Sequence, residues 1–350
     1  MSFDLHDQLS QEYNGAELWG YRRVRCGQLT AAPAPQRMGA PGSKLKNQPV
    51  IDLGKLWAQK PKSLSVLPED LDWFDSDTAQ AYEEFADETS TAQVHPLQFT
   101  NSMAMLAQQK GARLIMGKVE HINCCGVDDV AENAAPLASS DDLTGKRVVS
   151  VTYEDKATSE KHILEATTVI LAAGPWSPTL HPKIRMQPLR AHSVTMKLQR
   201  PLSAYCLFSD IRVAAGAKPV SLEIYPRPNN EVYICSQGDL NVPLPAPGSL
   251  VEVSVDSCQN LVDAATSVSR ELRNGQVTGR RACYLPMLDT KAGTDPLVGR
   301  TELSGLVLAT GHSCWGIAHA PGTGKAVSEL VFDGHISCVD AVNLDPRVIH

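Results

Sequence analysis

The residues best placed to do chemistry are the glycines of segment 305–324, which separate an apolar run from a helical pattern. The apolar run, 306–309, has the length of a strand buried on both faces, although its periodicity alone also allows a helix. After the run come Gly311, Gly316, Gly322 and Gly324, and a helical pattern then ends at Gly334. A strand, a glycine-rich turn and a helix together bring bare backbone N–H groups to an electron-rich ligand. The segment therefore predicts a ligand site at the end of a parallel strand.

A second segment has a similar design, because residues 168–173 form a continuous apolar run that enters a glycine.

His312, in the first turn, is open to two interpretations: a functional imidazole, or a core histidine with both nitrogens satisfied. Residues 322–325 (GTGK) resemble the end of a P-loop, but His319 and Ala326 break the required pattern. A phosphate loop of that kind is therefore excluded.

Composition and charge restrict the class of protein. A chain of 350 residues with 43% hydrophobic and 20% charged residues predicts one large or two interleaved globular domains. The net charge of −7 argues against nucleic acid as the main partner, because phosphates require a basic surface. No run is long enough for a transmembrane helix, and no signal peptide is recognisable. The nine cysteines lack CxxC pairs and zinc-ligand spacing, which predicts reduced thiols, a cytoplasmic setting and no metal site.

Periodicity predicts the elements that position the two turns. Helices are predicted at 1–14, 78–87, 95–111 and 260–273, and strands at 114–116, 119–122, 147–153, 189–198, 220–225 and 231–236. These elements predict two intermixed halves and an α/β (α+β) fold class, with a ligand cleft between the halves. One domain is predicted to be parallel α/β and the other mostly antiparallel β. The predicted boundaries are 1–17, 94–185 and 285–350 for the first domain, and 18–93 and 186–284 for the second.

Four segments in this order resemble the FAD-dependent D-amino-acid oxidase, glycine oxidase and sarcosine oxidase family, in its fungal branch. Residues 169–177 (VILAAGPWS) are similar to the family's AAGxWS segment, and Val94-His95-Pro96 through Ile122 to a block before it. Residues 225–233 resemble the hairpin of the family's substrate sheet, and residues 286–321 its C-terminal flavin block. The ordered set covers almost the whole chain, and it is most specific at 169–177 and 305–322.

The resemblance implies FAD as cofactor and assigns residues to it by position. The Val119 backbone is expected at the adenine edge. Ala172, Ala173 and Gly174 are expected beside the ribose and diphosphate, where a longer side chain would collide, and Trp176 is expected to pack near the cofactor. The residues expected around the isoalloxazine ring are Gly311, His312, Trp315, Gly316, Ile317 and Ala318. Backbone N–H groups of that turn and the helix N-terminus would stabilise negative charge on the reduced ring.

The resemblance breaks at the start of the chain. The family begins with a strand and a GxGxxG turn that seats the FAD pyrophosphate on a helix N-terminus, and no GxGxxG occurs in this sequence. Met1 falls where the family is already past that unit. We therefore expect an N-terminal βαβ segment to be missing from this chain, as in a fragment or a shortened gene model. We also expect this polypeptide alone to bind FAD poorly or not at all.

Two further departures concern the substrate. Amino-acid oxidases of the family bind the substrate carboxylate with an arginine just before a proline. Here Leu285 takes that place, and Arg281 lies nearby but out of register. A family tyrosine of the hairpin is replaced by Glu223, which is either a polar or acid–base group facing the flavin or a solvated strand residue. The candidates are Glu223 and His312 for catalysis, and Glu223, Arg281 and Tyr284 for the substrate.

The resemblance implies a flavin-dependent oxidoreductase that removes a hydride beside the nitrogen of a small amine or amino acid, with oxygen as acceptor. A second hypothesis is a non-catalytic oxidase-like protein in cytoplasmic or endosome-to-Golgi trafficking. It rests on the EIYPRP and ACYLP segments, which resemble fungal relatives linked to that retrieval, and on the missing carboxylate arginine. A NAD-dependent dehydrogenase is disfavoured, because no dinucleotide glycine motif is present. The expected partner is a small-molecule substrate, and protein partners stay open.

Overall fold

The computed structural model describes residues 1–32, 50–51, 67–138, 142–214, 218–289 and 295–347. Residues 33–49 and 52–66 of the predicted antiparallel half lie outside this description. The helices described are α1 (Ser2–Glu12), α2 (Gly15–Trp19), α3 (Pro96–Gln109), α4 (Ser177–Leu180), α5 (Val255–Ser267), α6 (Arg270–Arg273) and α7 (Gly316–Phe332). None of these helices combines the length and the hydropathy that crossing a bilayer requires.

Within the part of the chain that the structure describes, the strands form four sheets. Those described are β1 (Arg22–Arg23), β2 (Arg25–Ala31), β3 (Val50–Ile51), β4 (Ala79–Ala86), β5 (Ala92–Gln93), β6 (Gly117–Gly126), β7 (Ala135–Pro136), β8 (Lys146–Asp155), β9 (Lys161–Glu165), β10 (Val169–Leu171), β11 (Met186–Lys197), β12 (Tyr205–Ile211), β13 (Val220–Arg227), β14 (Glu231–Asp239), β15 (Gln276–Leu288), β16 (Leu297–Arg300) and β17 (Leu306–Thr310). The mixed α/β fold class is confirmed, and the domain boundaries stay a prediction.

The helices follow the predicted periodicity, with one interruption. α1 and α3 lie where they were predicted, and α3 begins with Pro96 after the cap residue His95. The helix predicted at 260–273 is divided into α5 and α6 at Ser269. The Ser269 hydroxyl accepts the Leu272 N–H and donates to the Trp73 carbonyl (2.6 Å), so it caps a new helix.

Two local predictions are wrong. The helix predicted at 78–87 is instead strand β4, which pairs antiparallel with β2 and places Tyr82 opposite Leu29. Tyr82 is only 5% exposed, so burial of this ring in a sheet overrides the helical tendency of the acidic sequence around it. The strand predicted at 114–116 has no regular structure, and Leu114 and Met116 are exposed.

The largest sheet has two very different faces. Its main strand order is β15-β11-β14-β13-β12-β2-β4, and α5 and α6 cover one face. The core on that face includes Leu207, Ile224, Ile234, Leu261 and Leu272, all at most 3% exposed. Successive side chains of a strand alternate between faces, so the residues between these core positions point to the opposite face.

A smaller sheet carries the predicted turns. β10 and β17 are parallel, with Val169 opposite Leu306, and β16 adds an antiparallel edge. Leu171 and Leu308 pack against residues of the four-stranded sheet β7-β6-β8-β9 on one side, whereas Val307 packs against α7 on the other. Both glycine turns therefore follow the carboxyl ends of β10 and β17, which are adjacent, parallel and buried.

Candidate functional site

The two glycine turns lie side by side, because they follow adjacent parallel strands. Gly174 and Gly311 both have a positive φ, +52° and +83°. The hydroxyls of Ser177 and Thr310, one from each segment, are 2.8 Å apart and buried. The Ser177 hydroxyl also lies 2.8 Å from the Gly174 carbonyl, and that of Thr310 lies 3.3 Å from it. This hydrogen-bonded contact fixes the two turns relative to each other.

Open space lies in front of two glycines of these turns. A Cβ placed on Gly174 would meet no heavy atom within 4 Å, and one on Gly316 would meet only the His312 Cβ, at 3.8 Å. Gly316 begins the 17-residue helix α7, whose first N–H groups have no partner within the helix. By contrast, a Cβ on Gly311 would lie 2.6 Å from Leu288, so this glycine is required by packing as well as by its φ.

These features fit one end of FAD. Bare backbone, a helix N-terminus and free space are what an electron-rich aromatic ring needs at this place. The strand–GxGxxG–helix unit that holds a diphosphate is not found in the sequence. The described residues therefore fit the ring end of the cofactor, and the diphosphate end lacks its usual element.

His312 is engaged within the protein. Its Nε2 lies 3.0 Å from the Thr323 hydroxyl, and burial together with the neighbouring His319 lowers the pKa of His312 to about 4. At neutral pH the ring is therefore uncharged. Trp315 stacks on His319, with 6.1 Å between ring centroids. The Ile317 carbonyl lies 2.9 Å from His6 Nε2, which ties α1 to the start of α7.

The other predicted cofactor residues are more dispersed. Ala172 and Ala173 follow β10 directly, and Ala172 is exposed. The Trp176 ring N–H donates to the Pro245 carbonyl (2.8 Å), so this indole holds the segment before α5. Val119 is 38% exposed on β6, in a different sheet. Ala318 is exposed in the first turn of α7. Their roles toward the cofactor stay predictions.

Opposite the core, the large sheet presents an ordered row of side chains. The row contains the register partners Gln28, Phe208, Glu223, Cys235, Ser193 and Arg281 from six strands. Tyr225, two positions after Glu223, shares its face, and its hydroxyl donates to Glu223 Oε2 (2.5 Å). The Cys235 thiol donates to the same oxygen (3.5 Å). Tyr225 and Cys235 were not predicted as site residues, although the i, i+2 spacing after Glu223 would have indicated the first.

The Glu223 carboxylate and the turn after β17 influence each other. Burial first, and then the Glu223 charge, raise the pKa of Tyr225 and of Cys235 well above their ordinary values. Cys314, in the turn after β17, also has a pKa raised by burial, with Glu223 adding to the shift. The same turn packs against strand β15, which forms one end of the row that carries Glu223. The turn after β17 therefore adjoins the sheet that carries this carboxylate.

Arg281 shares this face and Tyr284 does not. Arg281 lies on the same row, three strands from Glu223. With strands about 4.8 Å apart, the backbones at these two residues are about 14 Å apart. Tyr284 is only 7% exposed, and its hydroxyl donates to the Pro243 carbonyl (2.9 Å). The side chain of Tyr284 therefore supports the chain near Pro243. Its predicted contact with a substrate stays a prediction.

The described residues also contain a cavity away from this face. It has a volume of about 620 Å³, and its walls include Leu143, His181, Leu288, Leu297 and Leu308. It includes neither the residues of the glycine turns nor Glu223. Among the described residues no group of three or more His, Cys, Asp or Glu side chains is arranged to hold a metal ion.

Comparisons with known proteins agree with this geometry. The family whose sequence model matches the chain is described as FAD dependent oxidoreductase, and the match covers residues 2–330. TDA3 of Saccharomyces cerevisiae is 27% identical over 437 residues, which covers 99% of this chain and 82% of TDA3. The Schizosaccharomyces pombe protein C1F5.03c is 29% identical over 350 residues, which covers 99% of this chain and 81% of the relative. The names of both relatives assign them as oxidoreductases only provisionally.

A solved structure shows the same fold. Glycine oxidase from Geobacillus kaustophilus superposes with a TM-score of 0.64 at 17% identity, and the match covers 98% of this chain and 80% of that enzyme. At this identity the likeness concerns the fold alone.

Proposed function

The chain belongs to the FAD-dependent oxidoreductase (DAO) family, whose cofactor is FAD, and from this premise we propose that it oxidises a small amine or amino-acid-like substrate. When bound, FAD would supply the acceptor for a hydride from the carbon beside the substrate nitrogen, and oxygen is the proposed electron acceptor. The observation that carries the proposal is the contact between the turn after β17 and strand β15, because a substrate between that turn and the sheet would meet both the ring site and the face that carries Glu223.

The chain's own residues have distinct tasks in this proposal. Gly316 leaves space for the ring and Gly174 leaves space for the ribose and diphosphate, and the N–H groups of Ile317 and Ala318 at the start of α7 stabilise negative charge on the ring. Glu223, held by the Tyr225 hydroxyl, orients the substrate nitrogen. His312 supports the turn through Thr323 and is uncharged at neutral pH, so we assign it no proton transfer.

A second candidate function is a non-catalytic, oxidase-like protein in cytoplasmic or endosome-to-Golgi trafficking. The observation that favours it is Leu285, which stands where amino-acid oxidases of the family are expected to carry a carboxylate-binding arginine. A protein of this kind needs neither free space at Gly174 nor an open oxygen on Glu223. The two candidates therefore differ in what the site must bind.

The test pairs two glycines that differ only in location. Gly174 and Gly334 both have a positive φ and open space at the Cβ position, but Gly334 follows the far end of α7. With free FAD supplied in excess, we expect Gly174→Leu to abolish the weak flavin binding of this chain and its peroxide release in a screen of amines and amino acids, and Gly334→Leu to retain both. Equal and measurable flavin binding by the two variants would contradict the cofactor site. Flavin binding without turnover of any substrate would favour the trafficking role.

A further inference from the structure

One oxygen of the Glu223 side chain has no protein partner within the described residues. Both donors, the Tyr225 hydroxyl and the Cys235 thiol, bind Oε2, and no described residue donates to Oε1. None of the ion pairs in this part of the chain includes Glu223, whereas Glu231 on the same face is paired with Arg227 (3.0 Å). A half-buried carboxylate in this arrangement retains an unused acceptor and an uncompensated charge.

The groups that bind Glu223 are neutral, and the described cations nearby have other partners. Arg227 is paired with Glu231, and Arg22 donates to the Gln93 side chain and to the Pro226 carbonyl. Burial raises the pKa values of Tyr225, Cys235 and Cys314, and the Glu223 charge adds to each shift, so these groups are protonated and neutral at pH 7. Glu223 therefore has no ion-pair partner among the described residues, and its charge favours a cation.

Aromatic rings flank the same carboxylate. Phe208 and Tyr225 meet edge to face, with 6.2 Å between centroids, and Tyr225 stacks on Tyr233 at 6.2 Å with an interplanar angle of 5°. Aromatic faces attract an ammonium group and pack against an apolar carbon chain. A carboxylate with a free oxygen beside such rings is suited to an organic amine.

Building on the proposed function, we propose that Glu223 Oε1 binds the protonated nitrogen of the substrate and that the substrate is an amine without a neighbouring carboxylate. The nitrogen gives one proton to Oε1 before the hydride leaves the neighbouring carbon, because only the neutral amine has the lone pair that stabilises the iminium product. An α-amino acid fits this face poorly, because its carboxylate would lie next to the nitrogen and be repelled by Glu223. Arg281, a cation on the same row, lies three strands from Glu223, about 14 Å between the two backbones, so it is not a neighbour of this carboxylate. Leu285 supplies no charge for a carboxylate either.

The experiment uses ligands of similar shape and different charge. Binding of benzylammonium, benzoate and phenylalanine to the full 350-residue chain is measured by titration calorimetry at neutral pH with FAD in the buffer. We expect binding of benzylammonium and no measurable binding of benzoate. Glu223→Gln should weaken benzylammonium binding about 10-fold or more, because a charged hydrogen bond contributes about 1.5–3 kcal/mol.

A matched control separates this role from a general charge effect. Glu231→Gln removes one negative charge from the same face, but this carboxylate is already paired with Arg227, so benzylammonium binding should change less than about 3-fold. Glu223→Asp keeps the charge on a shorter side chain, and it should keep the preference for benzylammonium over benzoate. This conservative variant decides the question if Glu223→Gln fails to fold.

The outcomes distinguish this inference from the proposed function. Tighter binding of phenylalanine or benzoate than of benzylammonium would overturn the inference, and so would unchanged binding by Glu223→Gln. If benzylammonium binds through Glu223 but no amine releases peroxide, the proposed oxidation fails and the Glu223 assignment stands. If amines are oxidised equally by the unaltered chain and by Glu223→Gln, the oxidation stands and the assignment fails.

Discussion

His312 offers a quantitative test of whether a predicted catalytic histidine is held as a neutral structural group. Its pKa is lowered from 6.5 to about 4, mainly by burial and secondarily by His319. The unfolded chain therefore binds a proton below about pH 6.5, whereas the folded chain binds it only near pH 4. Stability from this group is present above pH 6.5 and is lost as the pH falls through that window. The substitution His312→Gln removes the titration and keeps a hydrogen-bonding group for Thr323.

The expected magnitude follows from the pKa values. The fall of the His312 pKa from 6.5 to about 4 corresponds to about 3 kcal/mol, at about 1.4 kcal/mol for each tenfold change in proton affinity, and screening at this half-buried ring reduces it to about 2–3 kcal/mol. Urea unfolding followed by tryptophan fluorescence at neutral pH and near pH 4 measures it. We expect the free energy of unfolding to fall by about 2–3 kcal/mol less in His312→Gln than in the unaltered chain.

The control is His335, an exposed residue beyond α7 whose Nδ1 lies 3.2 Å from the Asp333 carbonyl. His335→Gln should leave the fall in stability unchanged. Other buried histidines, including His6, His181 and His192, also have lowered pKa values and contribute the same trend to both chains. An equal pH dependence in His312→Gln and the unaltered chain would refute the assignment of His312 as a neutral structural group.

Three further predictions test the surroundings of the site. Gly311→Ala should lower the free energy of unfolding in urea by about 2–4 kcal/mol, because its φ is positive and the new methyl group would collide with Leu288. Gly334→Ala, which has a positive φ but open space, should lower it by only about 1 kcal/mol. Adding Leu288→Ala to Gly311→Ala should recover the part of the loss that comes from the collision. Asp239→Ala should lower the free energy of unfolding by about 3 kcal/mol or more in the same assay. Arg190 is only 6% exposed, and the substitution removes the carboxylate that lies 3.2 Å from its guanidinium. Riboflavin and FAD should bind this chain with affinities within about 3-fold of each other by fluorescence titration, because the sequence has no strand–GxGxxG–helix unit to hold the diphosphate. A clear preference for FAD would contradict this prediction.

Periodicity predicted correctly those elements whose local sequence preference agrees with their place in the tertiary structure. The apolar runs before Gly174 and Gly311 became β10 and β17, since a strand buried on both faces needs only continuous apolar residues. β4 was predicted as a helix, because its sequence does not reveal that β2 supplies a strand partner and a buried place for Tyr82. Prediction from residue types was therefore more accurate for the buried strands β10 and β17 than for β4, the strand at the edge of the large sheet.

The glycines of the turns illustrate a second limit of prediction from sequence. The resemblance assigns Gly174 to the ribose and diphosphate and Gly311 and Gly316 to the flavin ring, yet the structure groups these glycines differently. Gly311 is crowded by Leu288, whereas Gly174 and Gly316 face open space. Only the latter two indicate room for a ligand, and that distinction depends on a residue more than 20 positions away in the chain.

The chemistry around Glu223 depends on strand register more than on any local motif. Its row joins Gln28 from near the start of the chain to Arg281 near the end, through pairings that no single segment encodes. A shift of one residue in β13 would turn Glu223 toward the core and Ile224 toward the site. The substrate preference that we propose is therefore a property of the whole sheet, since the same glutamate in another register would be a costly buried charge.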